Sequence, residues 1–446
     1  MGDRVIERLL GAGFAPAEAE SRAGLVAETV SAFRQAVAAP PQWGWFVPGR
    51  IEVFGKHTDY AGGRSLVAAV PRGFVVVAGP RADRTVRVLD ARWRDATEVH
   101  LDDPAARFTG WSNYVAVVAR RLNQNFPGAA LGADIAVLSD LPRAAGLSSS
   151  SALVVAVATA LIRRAGLDSR PEWQAAITTT LDLAGYLGAV ENGLTFGSLA
   201  GTSGVGTHGG SEDHTAILTG RADHVSAYAY VPVRHLGDEL MPASWRFVVA
   251  GSGIQADKAG SAKDRYNRAS LGTRALLDVW NHTVGTSWPT LAAALASGPG
   301  ALNALRELTR ATGFGDFTAK DLQIRLRHFI AEDARVLEAA KAFRDADVRA
   351  IGDLSAASQA EADVLLGNQT PETRALARMA REMGAFAASS FGAGFGGSVW
   401  ALVPSDDAAA FATRWLSAYR AAFPAVTRTD VFVTRPGPGV VELGLT

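Results

Sequence analysis

Apolar residues follow two different periods along this chain. Over residues 16–39, Ala23, Val26, Val30 and Phe33 recur at helical spacing, which predicts an amphipathic helix closed by Pro40 and Pro41. From Trp43 to about Asp90 the pattern shifts to short runs rich in β-branched residues, 73–78 and 85–88 among them, broken by Gly, Pro and Asp, and strands are expected there. A helix over 112–122, a strand over 133–138 and an apolar helix over 151–163 follow. Residues 193–210 are dense in Gly, Ser and Thr and read as a long flexible surface loop or lid. A strand at 246–250 opens a second half of long helical patterns, one of them running from 374 to 388, which closes with strands near 398–403 and 431–434. Strands and helices mix without a regular βαβ repeat, so an α+β chain is expected, divided softly near 240 into units 1–240 and 241–446.

Composition narrows the class of partner. The 446 residues carry 44 basic and 44 acidic side chains, a balance that supplies no field for nucleic acid or an anionic membrane. With no cysteine there is neither a disulfide framework nor a thiolate metal site, and the eight histidines form no H-E-x-x-H pattern. Acidic residues interrupt the first apolar stretch, and no apolar run reaches membrane-spanning length. A cytoplasmic enzyme acting on a small ligand is the expectation.

Three segments concentrate polar chemistry. Residues 48–63 (PGRIEVFGKHTDYAGG) crowd Arg50, Glu52, Lys56, His57, Asp59 and Tyr60 between glycines; such a turn presents several donors and acceptors to one polyhydroxylated ligand, or is a polar turn with Arg50 in a structural ion pair. Residues 141–153 (LPRAAGLSSSSAL) place four serines where a turn enters an apolar helix. Free backbone N–H groups and hydroxyls there suit a phosphate, although a plain helix cap would need only one serine. Residues 389–403 (SSFGAGFGGSVWALV) contain G-x-G-x-x-G, but after a helical pattern and before a strand-like run. That order disfavours a dinucleotide fold and leaves a glycine loop beside a ligand, or a bare tight turn.

The order and wording of these segments resemble the galactokinase branch of the GHMP kinases. The first is similar to P-G-R-V-N-L-I-G-E-H-T-D-Y-N-G-G, the second to the family's P-x-x-x-G-L-S-S-S-A phosphate loop and the third to its G-A-G-F-G-G turn, here with Gly394, Gly396 and Gly397. Residues 261–268 (SAKDRYNR) and 325–337 (RLRHFIAEDARVL) resemble two later family regions. The resemblance implies a two-domain architecture, with an N-terminal domain like ribosomal protein S5 domain 2, a ferredoxin-like C-terminal domain, and the active site between them. It implies ATP cradled by Gly146, Leu147, Ser148, Ser149 and Ser150, and Mg²⁺ held by Ser150 and Glu191. Sugar contacts are implied for His57, Asp59, Gly62, Gly63 and Tyr266. The family's G-x-x-D-Q carboxylate matches Asp213 in GGSEDH, with Glu212 as rival and His214 in place of glutamine; Arg50 would offset charge on the transferring phosphoryl group.

Lys56 is the most informative departure, because galactokinases carry glutamate there, meeting the C6 hydroxyl. Two readings stand: the substrate carries a C6 carboxylate, as a uronic acid does, or Lys56 pairs with a nearby carboxylate and the sugar is a neutral aldose. The resemblance therefore implies an ATP-dependent sugar 1-kinase, monomeric or weakly self-associating, with a non-catalytic sugar and ATP sensor as the alternative.

Overall fold

The computed structural model describes residues 2–142, 146–254, 263–310 and 312–445; Arg143 to Ala145 of the serine-rich segment, and Ser261 and Ala262, lie outside the described residues. Two strands dominate the first half: β1 (Trp43–Phe54) and β2 (Arg64–Pro80), paired antiparallel along most of their length. They are longer than the short runs expected from sequence. With β3 (Thr85–Asp90), β4 (Asp95–His100), β5 (Ala133–Ser139), β6 (His224–Ala229) and β7 (Arg234–Leu240) they make one mixed sheet, in which β5 joins β2 to β3, and β6 extends from the first residues of β2. The last strand, β12 (Val441–Glu442), crosses back to pair with β1.

Alternation along β1 explains how this sheet is covered. Trp45 and Val47 face the helices Trp111–Asn125, Ser149–Ala165 and Thr180–Asn192, whereas Phe46 faces Pro16–Val37. The helix at Ser149–Ala165 is apolar nearly all round, being buried between β1, β2 and neighbouring helices, and it stops where Gly166 takes left-handed geometry.

A second, fully antiparallel sheet runs in the order β11, β8, β10, β9, with β8 (Trp245–Gly251), β9 (Ala387–Ser390), β10 (Ser398–Pro404) and β11 (Val431–Thr434). Helices Pro371–Glu382 and Ala408–Ala422 cover one of its faces around Trp415. Its other face merges into a core shared with the far end of β1 and β2 and with the long helix Ala319–Arg344. One structure-forming expectation fails here: the helix predicted to reach 388 ends at Glu382, and Ala387 to Ser390 pair with β10 instead. Alanine's helical preference is weak against a buried edge position and the left-handed Gly384 that breaks the helix. The glycine segment therefore lies between two strands, which still leaves no helix after it. Among the described residues, no helix is long and apolar enough to cross a membrane.

Candidate active site

The three polar segments meet at one cavity between the two sheets. β1 supplies its floor, because Arg50 and Glu52 lie two residues apart on one strand and point to the same side. The turn after β1 then folds tightly. His57 adopts a left-handed backbone, Thr58 donates its hydroxyl to Gly55 O at 2.9 Å, and a short 3-10 turn spans Asp59–Ala61. Arg325, from the long helix, donates to His57 O at 2.5 Å and to the Tyr60 hydroxyl at 3.1 Å, locking that turn from behind. His57 is further held between Tyr60 Oη at 2.9 Å and Ala393 O at 3.1 Å.

Arg50 ties the turn to the serine-rich segment. Its backbone N–H donates to Leu147 O at 3.2 Å, its Nη1 donates to Gly146 O at 2.6 Å, and its Nη2 lies 2.5 Å from Asp213 Oδ1. Glu212 Oε1 approaches its Nε at 3.3 Å. Burial works against the guanidinium's charge, but Asp213, Glu212 and Glu52 more than offset it, so Arg50 stays protonated. Burial likewise pushes Glu212 well above the usual carboxylate range, with Glu52 adding to the push, and Glu52 itself is raised by burial against the pull of Arg50 and Lys56. Asp213 is the better-exposed of the two candidate bases and also accepts from Ser151 Oγ at 3.2 Å.

The opposite wall is the glycine-rich stretch after Asn192. Although it contains no helix or strand, it is pinned: Asn192 Oδ1 accepts from Gly209 N at 2.7 Å and from Thr207 Oγ1 at 3.1 Å, and Asn267 Oδ1 accepts from His208 N at 2.9 Å. Gly210 is required here, since a Cβ would collide with the carboxylate of Asp59, whose Oδ2 accepts from Glu212 N at 3.1 Å. Tyr266 closes the cavity beside His57, its phenol pushed up by burial and by Asp59.

The serine-rich side is built as a helix N-terminus. Gly146 adopts φ +73°, Ser148 caps Ser149–Ala165 in left-handed geometry, and the buried Ser148 Oγ has no hydrogen-bond partner among the described residues. Ser149 and Ser150 are half-buried in the first turn. In the glycine segment, Gly392 packs against Gly146 while Gly394 rests on Asn368 and Gly396 on Ile254, and Gly397 lies just below Gly146. Of that segment it is Gly392 and Ala393 that line the cavity.

For a divalent cation, Glu191 offers a buried carboxylate oxygen with no hydrogen-bond donor among the described residues, 3.0 Å from His214 Nε2. Among the described residues no cluster of three ligating side chains exists. A hard ion sharing phosphate oxygens with one carboxylate and a serine hydroxyl fits this donor set. The serine lining the cavity beside Glu191 is Ser151, one residue beyond the expected Ser150.

Other expected contacts are redirected. Lys56 is 1% exposed and turned away from the cavity, its ammonium donating to Ser358 Oγ at 2.6 Å and Ser389 Oγ at 2.8 Å beside Glu332. A C6 carboxylate recognised by Lys56 finds no support in that geometry. Gly62 and Gly63 close the turn by donating to Asp59 O and Thr58 O, both at 3.0 Å, and pack on Thr290 and Phe329 rather than on the cavity. Tyr60 lines the cavity with the rest of its turn, and Asn192 and Thr207 line it although no role was expected of them. Strand alternation from Arg50 would have found Glu52; nothing local marks Asn192 or Thr207.

The galactokinase galactose-binding signature matches residues 31–80, the GHMP kinases N terminal domain residues 113–194 and the GHMP kinases C terminal domain residues 339–421. Galactokinase from Chloroflexus aurantiacus is 30% identical over 402 residues, covering 87% of this chain and 91% of that protein. Galactokinase from a Roseiflexus species is 30% identical over 405 residues, covering 88% and 91%. Among solved structures, Lactococcus lactis galactokinase complexed with galactose superposes with a TM-score of 0.75 at 23% identity, covering 93% of this chain and 99% of that one. Methanococcus jannaschii mevalonate kinase does so with a TM-score of 0.54 at 14% identity over 88% and 98%. The architecture is thus the two-domain GHMP kinase fold, and the chain belongs to the galactokinase family.

Proposed function

We propose that this chain transfers the γ-phosphoryl group of ATP to the C1 hydroxyl of galactose. The observation that carries the reading is Arg50, which touches Asp213 and the Gly146 carbonyl at once and so joins the acidic, sugar-facing wall to the serine-capped helix. The C1 oxygen attacks the γ-phosphorus, its proton passes to Asp213, and the bond from phosphorus to the β,γ-bridging oxygen breaks to leave ADP. Arg50, fixed before substrate arrives, offsets the charge that spreads over the transferring oxygens. Mg²⁺, when bound, neutralises phosphate charge, and Glu191 with Ser151 or Ser150 would hold it. Asp213 is preferred to Glu212 because Glu212 is buried beside Glu52 and held toward its protonated form, in which it accepts no proton.

His57, Asp59 and Tyr266 are the proposed sugar contacts. The reading favours a neutral aldose over a uronic acid, because five carboxylates (Glu52, Asp59, Glu191, Glu212, Asp213) line the cavity with Arg50 as the only Arg or Lys among its lining residues. A cytoplasmic, monomeric or weakly associating enzyme is part of the same proposal. The test is Mg²⁺-dependent ADP release with galactose and with galacturonate, Asp213→Asn beside wild type. Turnover of galactose lost in Asp213→Asn is the expected result; sugar binding without ADP release would instead identify a sensor.

A further inference from the structure

Glu52 is a buried carboxylate whose hydrogen bonding is half complete. It is 3% exposed and lines the cavity next to Arg50. Its Oε2 accepts from Gly392 N at 2.6 Å, which fixes the carboxylate's orientation. Among the described residues nothing hydrogen-bonds its Oε1. An ionisable group this deep is costly unless its remaining acceptor is filled, and the protein fills it elsewhere in the same region: Lys56, four residues on, has two hydroxyl partners and Glu332. The side of Glu52 left open is the side that faces the ligand space.

What can fill it is constrained by the neighbours. Glu212 and Asp213 oppose negative charge beside Glu52, so the open oxygen suits a hydrogen-bond donor rather than a carboxylate or phosphate oxygen. A sugar hydroxyl is such a donor. The galactokinase signature quoted above carries asparagine at this position and glutamate at that of Lys56, so in this chain the strand adds a carboxylate to the cavity beside Asp59 of the turn, while position 56 is turned away.

We propose that Glu52 is a specificity-determining residue that accepts a hydrogen bond from one hydroxyl of the sugar. The inference rests on the sugar-kinase reading and deepens it. A structural alternative, in which Glu52 only anchors Gly392 and balances Arg50, predicts no dependence on any particular hydroxyl.

The experiment pairs Glu52→Gln with the four monodeoxy galactoses (2-, 3-, 4- and 6-deoxy), read both as kcat/KM and as Kd by titration calorimetry. Wild type is expected to penalise one of these analogues by about 10- to 100-fold through the missing bond to Glu52. In Glu52→Gln that penalty shrinks several-fold while the other three stay as they were, and the loss on galactose itself falls mainly on KM. Four penalties unchanged between wild type and variant would overturn the proposal. Absence of ADP release from wild type would overturn the kinase reading alone, the calorimetric penalties still deciding the role of Glu52. If Glu52→Gln melts early, Glu52→Asn, the signature's own residue, is put through the same panel.

Discussion

Two buried charge clusters lie on either side of the same turn, and they are built to opposite ends. Around Arg50 the acidic groups outnumber the basic one, and hydrogen bonding is incomplete among the described residues: Ser148 Oγ has no partner, and Arg50 Nε and Glu212 Oε1 meet only as an ion pair at 3.3 Å. Around Lys56 the contacts close on themselves: Glu332 accepts from Gly55 N at 3.1 Å and Ser358 Oγ at 2.8 Å and pairs with Arg335 at 2.9 Å, while Arg335 reaches Glu361 at 2.7 Å. Both are buried; they differ in charge balance and in completeness, the Lys56 cluster pairing two bases with two acids while Arg50 faces three carboxylates. An internally satisfied cluster serves the fold, whereas an unfinished one leaves valence for a ligand.

The sharpest way to break this comparison is at Asp213. Asp213→Asn is expected to lower kcat by about 10²–10⁴-fold in a protein that still folds, since it removes a proton acceptor and keeps the shape, while some stability is lost with the charge facing Arg50; an equal loss in Glu212→Gln with Asp213→Asn active would move the base to Glu212. Lys56→Met should do the reverse. By leaving Glu332 with only Arg335 as an opposing charge, it is expected to cost about 3–5 kcal/mol of stability in denaturant unfolding, with KM for galactose retained in the folded protein. A selective KM effect without destabilisation would return Lys56 to the sugar site.

Glu212→Gln should lower kcat/KM by less than about 10-fold, because a carboxyl already pushed toward its protonated form by burial and by Glu52 loses little charge on amidation. The smallest effect concerns His328, which is fully buried and accepts at Nδ1 from Arg325 Nη1 at 2.6 Å. Burial holds it well below its ordinary value, reinforced by Arg325, His57, Lys56 and Arg335. The unfolded chain therefore binds a proton that the folded one refuses, so this contribution is complete above the unfolded value near 6.5 and is lost as pH falls below it, by up to about 1.4 kcal/mol per pH unit. His328→Asn should flatten that part of the stability profile between pH 6.5 and 5; an unaltered slope would show that His328 is not its source.

Some of this was legible without coordinates. Phosphate-loop serines and the HTDY turn announce themselves because their chemistry is contiguous in the chain, and the apolar helix at Ser149–Ala165 because its whole surface is buried. The helix expected to reach 388 failed because alanine's helical preference is outweighed by the left-handed Gly384 and by pairing with β10, a partner the local sequence does not show. Asn192 and Thr207 were passed over as site residues because only packing brings them to the cavity, whereas Glu52 was within reach of strand alternation from Arg50.

Lys56 shows most clearly where the division falls. Its identity, and its departure from the galactokinase signature, are properties of the linear chain, as are the neutral charge balance and the family resemblance. Which way its ammonium points is not: helix Ala319–Arg344, the segment carrying Ser358 and β9 with Ser389 must first pack against the turn, presenting Glu332 and two hydroxyls that outcompete the cavity. Motifs are local and survive in sequence, whereas a buried charge chooses its partner among groups about 300 residues away, a choice that only the assembled core makes available.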